Sequence, residues 1–342
     1  MNTSFNLTPD ACKDFNPTFD KDKPCLSYIP LVGRCGYCAL PTHYRCIADN
    51  LPVPLSHSSI GDWLTCHRLY WLRAMMGITV RNASVSNPIK MGKLWDSCLQ
   101  GLTIPTNIQE VIKEYEIPEF EVAKVRALWN AFREFGLEPD GEYNAQAKVD
   151  MSFDITDGEC NEQVYIKGFY DRKYPTYFEE DKLSVRPDHY LDPYFIHSQC
   201  GTYFLADPSL EYCTMKVVRV PDLKSTGKYK DEDDESYYQR CYEDILSRPS
   251  HYFIGYNKDK HTYGRKFYRS EFNLPEIQQR YNIVGREIKW ASDLYHKGED
   301  VWYRNDRVCG QIFPGIPCEM LPICRTGGLS EQFIIRQDKG GK

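Results

Sequence analysis

The hydrophobic pattern of the chain changes after Gly136, and this change constrains the fold more than any other feature. Before it, apolar residues recur with a helical period. The stretch "SSIGDWLTCHRLYWLRAMMGI" sets Ile60, Trp63, Leu64, Cys66, Leu69, Tyr70 and Leu72 at that spacing. It predicts a helix over 58–76, with serines in front to cap its free amides. Two more helices are predicted over "IKMGKLWDSCLQGL" and "PEFEVAKVRALWNAFREFG", the second stopping at Gly136. Beyond that glycine, "AQAKVDMSFDI", "EQVYIKGFYDR" and "TYFEEDKL" alternate as strands do. There follow a helix over "DPYFIHSQCGTYFLA", a strand over "EYCTMKVVRV" and a helix over "DDESYYQRCYEDILSR". A hairpin over "HYFIGYNKDKHTYGRKFYRSEF" leads to a long helix, where Asn273 and Glu276 are spaced as a capping box and Pro275 lies in the first turn. Helices followed by a mixed sheet flanked by helices predict an α/β fold on one main core.

Composition narrows the function classes. The net charge of −6 gives no basic footprint of the kind that simple DNA-binding domains carry. No apolar run is long enough to span a membrane, and "MNTSFNLTPDACKDF" lacks the charged-then-apolar pattern of a signal segment. A cytoplasmic location is therefore expected. There, 14 cysteines point to metal ligands and small buried residues rather than to a disulfide framework.

The stretch "GFYDRKYPTYFEEDKLSVRP" carries the clearest chemistry. Two short strands flank a proline-containing turn, so Asp171 and Glu180 are expected to converge. Residues two apart on a strand share a face, which puts Glu180 and Lys182 together and Asp181 opposite. Two converging carboxylates repel unless a cation lies between them, and Mg2+ or Mn2+ is the natural choice. A neighbouring lysine can orient a water or stabilise charge on a phosphate. Gln199 and Tyr203 lie four apart, on one face of the next predicted helix. Asp96, on the helix that contains Gly92, is a third acidic candidate. Asp222 and Lys224 in "VPDLKSTG" form a second acid–x–Lys, but they follow the Gln199 helix and read as a loop.

Asp171, then Glu180–x–Lys182, then Gln199–x–x–x–Tyr203 resembles the PD-(D/E)XK nuclease superfamily, and within it the RecB-like branch that includes phage exonucleases. The similarity covers roughly 56–325. The branch ordinarily has a histidine four residues after the helix glycine; here that place is Asp96. The resemblance implies a restriction-endonuclease-like fold and a divalent-metal-dependent DNA nuclease, most simply an exonuclease of phage recombination. It implies Asp96, Asp171 and Glu180 as metal ligands, Lys182 as the residue that positions water, and Gln199 and Tyr203 as its supports. By analogy it also implies a recombinase or single-strand-binding partner, in the cytoplasm of a bacterial host. The alternative is an inactive nuclease fold that binds DNA or acts as a scaffold.

The tail "CGQIFPGIPCEMLPIC" supplies Cys309, Cys318 and Cys324, and Cys66 is the candidate fourth ligand. Four thiolates suit zinc or an iron–sulfur cluster, and spacing does not separate them. The same nuclease branch resembles this layout, with one cysteine before the core and three after it holding a 4Fe–4S cluster. Near the N-terminus, Cys35–x–x–Cys38 and Cys46 suit a zinc knuckle, with Cys25 or His43 as the fourth ligand. The expected organisation is therefore a Cys-rich segment over 1–55, a helical region over 56–140, a nuclease core over 141–300 and a Cys-rich clasp over 301–342.

Overall fold

A computed structural model of the chain describes residues 55–103, 105–157, 160–224, 226, 229–296, 299, 301–311, 317–326 and 330–335. In chain order it begins with α1 (His57–Thr65) and α2 (His67–Tyr70), followed by a π-helical turn over Trp71–Met75 and β1 (Ile78–Val80). Next come α3 (Asn87–Gln100), α4 (Ile108–Tyr115) and α5 (Glu119–Glu134). The strands are β2 (Asn144–Ala145), β3 (Lys148–Asp157), β4 (Cys160–Phe169), β5 (Arg172–Lys173) and β6 (Tyr177–Ser184). After them run α6 (Pro193–Ala206), β7 (Tyr212–Arg219), α7 (Asp234–Ser247), α8 (Pro249–Tyr252) and β8 (Arg265–Tyr268). The last described elements are α9 (Leu274–His296), α10 (Asp306–Cys309), α11 (Leu321–Thr326) and β9 (Phe333–Ile335). The protein is thus a mixed α/β fold. Among the described residues, no helix is long and apolar enough to cross a membrane.

The chain divides into two compact units. One takes in the described residues of 1–81, 151–167 and 279–342, and the other takes in Asn82–Asp150 and Gly168–Gln278. The division is interleaved along the sequence rather than linear, so the predicted helical region and sheet both contribute to the second unit.

That second unit is built on a five-stranded sheet of order β2-β5-β6-β7-β8. β6 runs parallel to β7, and the other pairings are antiparallel, which makes the sheet mixed. Its strands alternate between two apolar clusters. Phe178, Cys213, Met215 and Val217 pack with Cys200, Tyr203 and Phe204 of α6. Val218 and Val220 pack with Trp95, Leu128, Phe132, Tyr237 and Ile245 of α3, α5 and α7. Both faces of the sheet are therefore covered, and charges on β6 or β7 lie under helices. Gly201 allows the close approach of α6 to the start of α9, because a Cβ there would lie 2.0 Å from Ile277 Cδ1.

Three features differ from expectation, the first being that β3 and β4 form a separate two-stranded sheet instead of joining the five-stranded one. The predicted helix over 58–76 is interrupted at Cys66, whose backbone is extended (φ −165°, ψ 121°). The apolar period runs straight through this break and does not reveal it. The helix is capped as expected by a serine in front of it, Ser56, which accepts from the Ser59 N–H at 3.1 Å. The predicted hairpin over 251–272 keeps only its second strand, β8. Pro249 starts a helical turn instead, and Phe253 makes a single bridge to Val218.

The first unit gathers α1, α2, most of α9 and the C-terminal elements. Trp63, Tyr70, Trp71, Tyr281, Val284, Ile288 and Trp302 are buried there. Trp302 meets Trp63 edge-on, with ring centroids 6.1 Å apart. β1 pairs antiparallel with β9, matching Ile78 to Ile335 and Val80 to Phe333. Arg73 ties the helical start to the tail, donating from Nη1 to Asp62 at 2.7 Å and from Nε to Glu319 at 2.8 Å.

Candidate active site

Strand β6 is charged on both faces, and each face has its own partners. Glu179 and Asp181 point one way, into a buried ionic network. Arg172 donates from Nε to Glu179 at 2.9 Å and from Nη2 to Asp181 at 2.8 Å. Lys216 of β7 adds an ion pair to Glu179 at 3.4 Å. All four residues are buried. The antiparallel register sets this up, because Arg172 lies directly across from Glu179.

The other face carries Glu180 and Lys182. Lys182 Nζ donates to Glu180 Oε2 at 3.1 Å, and Gln199 Nε2 donates to the same oxygen at 2.8 Å. Gln199 also donates to Tyr203 Oη at 3.2 Å, and that hydroxyl donates to the Phe169 carbonyl at 2.9 Å. The four-residue spacing on α6 thus places both side chains beside Glu180. Asp171, just ahead of β5, accepts from the Asp181 N–H at 2.9 Å through Oδ2, while its own N–H reaches Glu180 Oε1 at 3.4 Å. The structure therefore brings Asp171, Glu180, Lys182, Gln199 and Tyr203 together.

Electrostatics add Asp96. Burial, then the neighbouring Asp171 charge, pushes its carboxyl up to about 6, against the pull of Lys93 and Lys182. Burial and Asp171 likewise push Glu180 up to about 8, with Lys182 opposing. Burial alone would lower the Lys182 ammonium, but Glu180 and Asp171 outweigh it and raise the group above its ordinary value. Asp171 is thus close enough to both Asp96 and Glu180 to oppose their ionisation. Asp96 makes no hydrogen bond among the described residues, whereas Glu180 directs Oε2 at Lys182 and Gln199.

This donor set is all oxygen and rich in carboxylate, which fits a hard divalent cation such as Mg2+ or Mn2+. As the side chains lie, no group of three or more His, Cys, Asp or Glu among the described residues is arranged to hold a metal ion.

The cysteines of the first unit form a second cluster. Burial, then the nearby Cys66, raises the Cys309 thiol. Burial raises Cys318, with Cys309 and Cys66 adding to the shift, and a backbone hydrogen bond from Met320 opposes it. Burial pushes Cys324 up to about 11, reinforced by Cys318, Cys309 and Cys66. The Asn305 N–H points at Cys66 Sγ from 3.3 Å, and the Cys318 N–H donates to the Cys309 carbonyl at 3.0 Å. Four neighbouring thiols, two of them met by backbone N–H groups, are the donor type that a soft metal or an iron–sulfur cluster takes, although as the side chains lie no three of them are arranged to hold one. The cysteines with described side chains are free thiols. Cys25, Cys35, Cys38, His43 and Cys46 of the expected zinc knuckle lie outside the described residues. Asp222 and Lys224 sit in the irregular segment after β7, apart from the regular elements.

Sequence reasoning missed Arg172, Glu179 and Lys216. The usable signal was the strand alternation itself, because a face opposite Glu180 and Lys182 that also carries two acids requires buried counter-charges. Compared with known protein families and with curated proteins, the chain matches no family model and no curated protein.

Proposed function

We propose that the protein is a divalent-metal-dependent deoxyribonuclease of restriction-endonuclease-like fold, acting as an exonuclease in DNA recombination or repair. The observation that carries this reading is the meeting of Asp171, Glu180 and Lys182 at one point, with Glu180 buried, hydrogen-bonded to Lys182 and repelled by Asp171. Asp171, Glu180 and Asp96 would hold Mg2+ or Mn2+. The ion, when bound, would lower the pKa of a water and neutralise charge on the phosphate oxygens. Lys182 has the reach and the charge to orient that water and to stabilise the negative charge that develops on the phosphate. Gln199 holds Glu180 in place, and Tyr203 holds Gln199 through its bond to the Phe169 carbonyl.

The test is a time course on end-labelled and circular DNA, with Mg2+, with Mn2+ and with chelator. Unaltered protein should cut linear DNA only when metal is present. Asp171→Ala and Lys182→Ala should each lower the rate by at least about a hundredfold while leaving the fold intact. Full metal-dependent cleavage by either variant would refute the assignment. Retention of DNA with no product from the unaltered protein would favour a binding or scaffolding role instead.

A further inference from the structure

The first unit contains a cavity of about 350 Å³ that takes no part in the carboxylate site. Its volume lies at the lower end of ligand-sized pockets, roughly 300–1,000 Å³. One wall is a stack of rings. Trp63 and His67 lie face to face, with centroids 3.8 Å apart and planes 14° from parallel. Tyr303 continues the series, its centroid 4.4 Å from His67 and its plane tilted by 50°. The inner end is anchored, because Trp63 is buried and its Nε1–H donates to Glu287 at 2.9 Å. The outer end is open, because Tyr303 is 61% exposed.

The rim beside Tyr303 is basic. Arg304 is partly engaged, donating to the Cys324 carbonyl at 3.4 Å and lying 3.9 Å from Asp306. Arg307 is exposed and makes no hydrogen bond or ion pair among the described residues. Core packing does not account for a tyrosine left this open, and ion pairing does not account for Arg307. Together they offer a flat π face next to a guanidinium fork. A base and its phosphate present the matching pair of groups.

We propose that this cavity is a subsite for unpaired nucleic acid, with one base stacked on Tyr303 and the adjoining phosphate held by Arg307 and Arg304. Its ligand class rests on the nuclease reading above, but its geometry does not. A paired duplex keeps its base faces stacked on one another and cannot offer one to Tyr303.

Fluorescence anisotropy of a labelled oligothymidylate tests this on the full chain, in chelator so that no cleavage intervenes. Tyr303→Ala should weaken binding about tenfold, and Tyr303→Phe should restore it. Arg307→Ala should make the log–log salt dependence shallower by about 0.7, the value for one lost single-strand phosphate contact. A closed duplex with no free ends should bind alike to all four proteins, and thymidine monophosphate should compete only weakly with the strand. Unchanged affinity in Tyr303→Ala, equal loss on the closed duplex, or no binding of oligothymidylate would overturn the subsite. Strong competition by the mononucleotide would overturn a strand as its occupant. Because no free Mg2+ or Mn2+ is present throughout, failure of the subsite and failure of the nuclease reading give separate results.

Discussion

Arg172 shows how closely the two faces of β6 depend on each other. Its guanidinium lies between two buried acids, Glu179 and Asp181, while Glu180 between them points to the opposite face. The Asp181 N–H in turn holds the Asp171 carboxylate. One side chain thus fixes the strand segment from which the candidate site projects. Arg172→Met would leave both acids buried, with Lys216 and the Tyr174 hydroxyl beside Glu179 as the partners that remain. It should cost about 3–5 kcal/mol in denaturant unfolding, as breaking a buried pair does. A loss below about 1 kcal/mol would show that the network is not holding the strand. At this scale the sequence exposed one face and hid the other. Glu180, Lys182, Gln199 and Tyr203 followed from spacings of two and four residues. Arg172 and Glu179 did not, since charges near a turn ordinarily sit in water, and only the cross-strand register shows that these two meet.

At the scale of elements, long periodic segments were legible and short or interrupted ones were not. α3, α5, α6, β6, β7, α7 and α9 lie where apolar spacing put them. β1 and β9 have three residues each and too little pattern to read. α4 escaped notice although Asn107 caps it, accepting from the Gln109 N–H at 3.1 Å. The break at Cys66 has a chemical correlate. An extended residue between α1 and α2 places a buried sulfur where the Asn305 N–H reaches it, beside Cys309, Cys318 and Cys324. We propose that these four thiols carry a 4Fe–4S cluster tying α1 to the tail. Protein purified without oxygen should then be brown and contain iron and acid-labile sulfide. Cys66→Ser and Cys318→Ser should each lose both and melt at a lower temperature. Stoichiometric zinc without iron would overturn the choice of cluster, and protein with neither metal would overturn the clasp.

Over the whole molecule, the crowded carboxylates set how stability should change with pH. Glu180 has an ordinary value of 4.5 and is raised to about 8 in the folded chain. Between those limits the folded protein keeps a proton that the unfolded chain has released, so metal-free stability should fall as pH rises. Asp96, raised from 3.8 to about 6, acts with the same sign over the lower part of that window, whereas His67 and His251, lowered by burial, act with the opposite sign there. Lys182 contributes no slope there, because its raised value leaves it protonated in both states. Asp207 behaves oppositely. Burial alone would raise it, but Lys173 and Ser209 hold it down to about 2, and the stability it adds disappears only in stronger acid. A cation favours the ionised carboxylates and so competes with the proton on Glu180. In chelator, the melting temperature should therefore decline from about pH 5 to about pH 8. With Mn2+ the decline should shrink or reverse, and Asp171→Asn should flatten both curves, since it removes the repelling charge and a ligand together. A melting temperature in chelator that rises steadily through that interval would mean that Glu180 is ionised in the folded protein and that Asp171 does not crowd it.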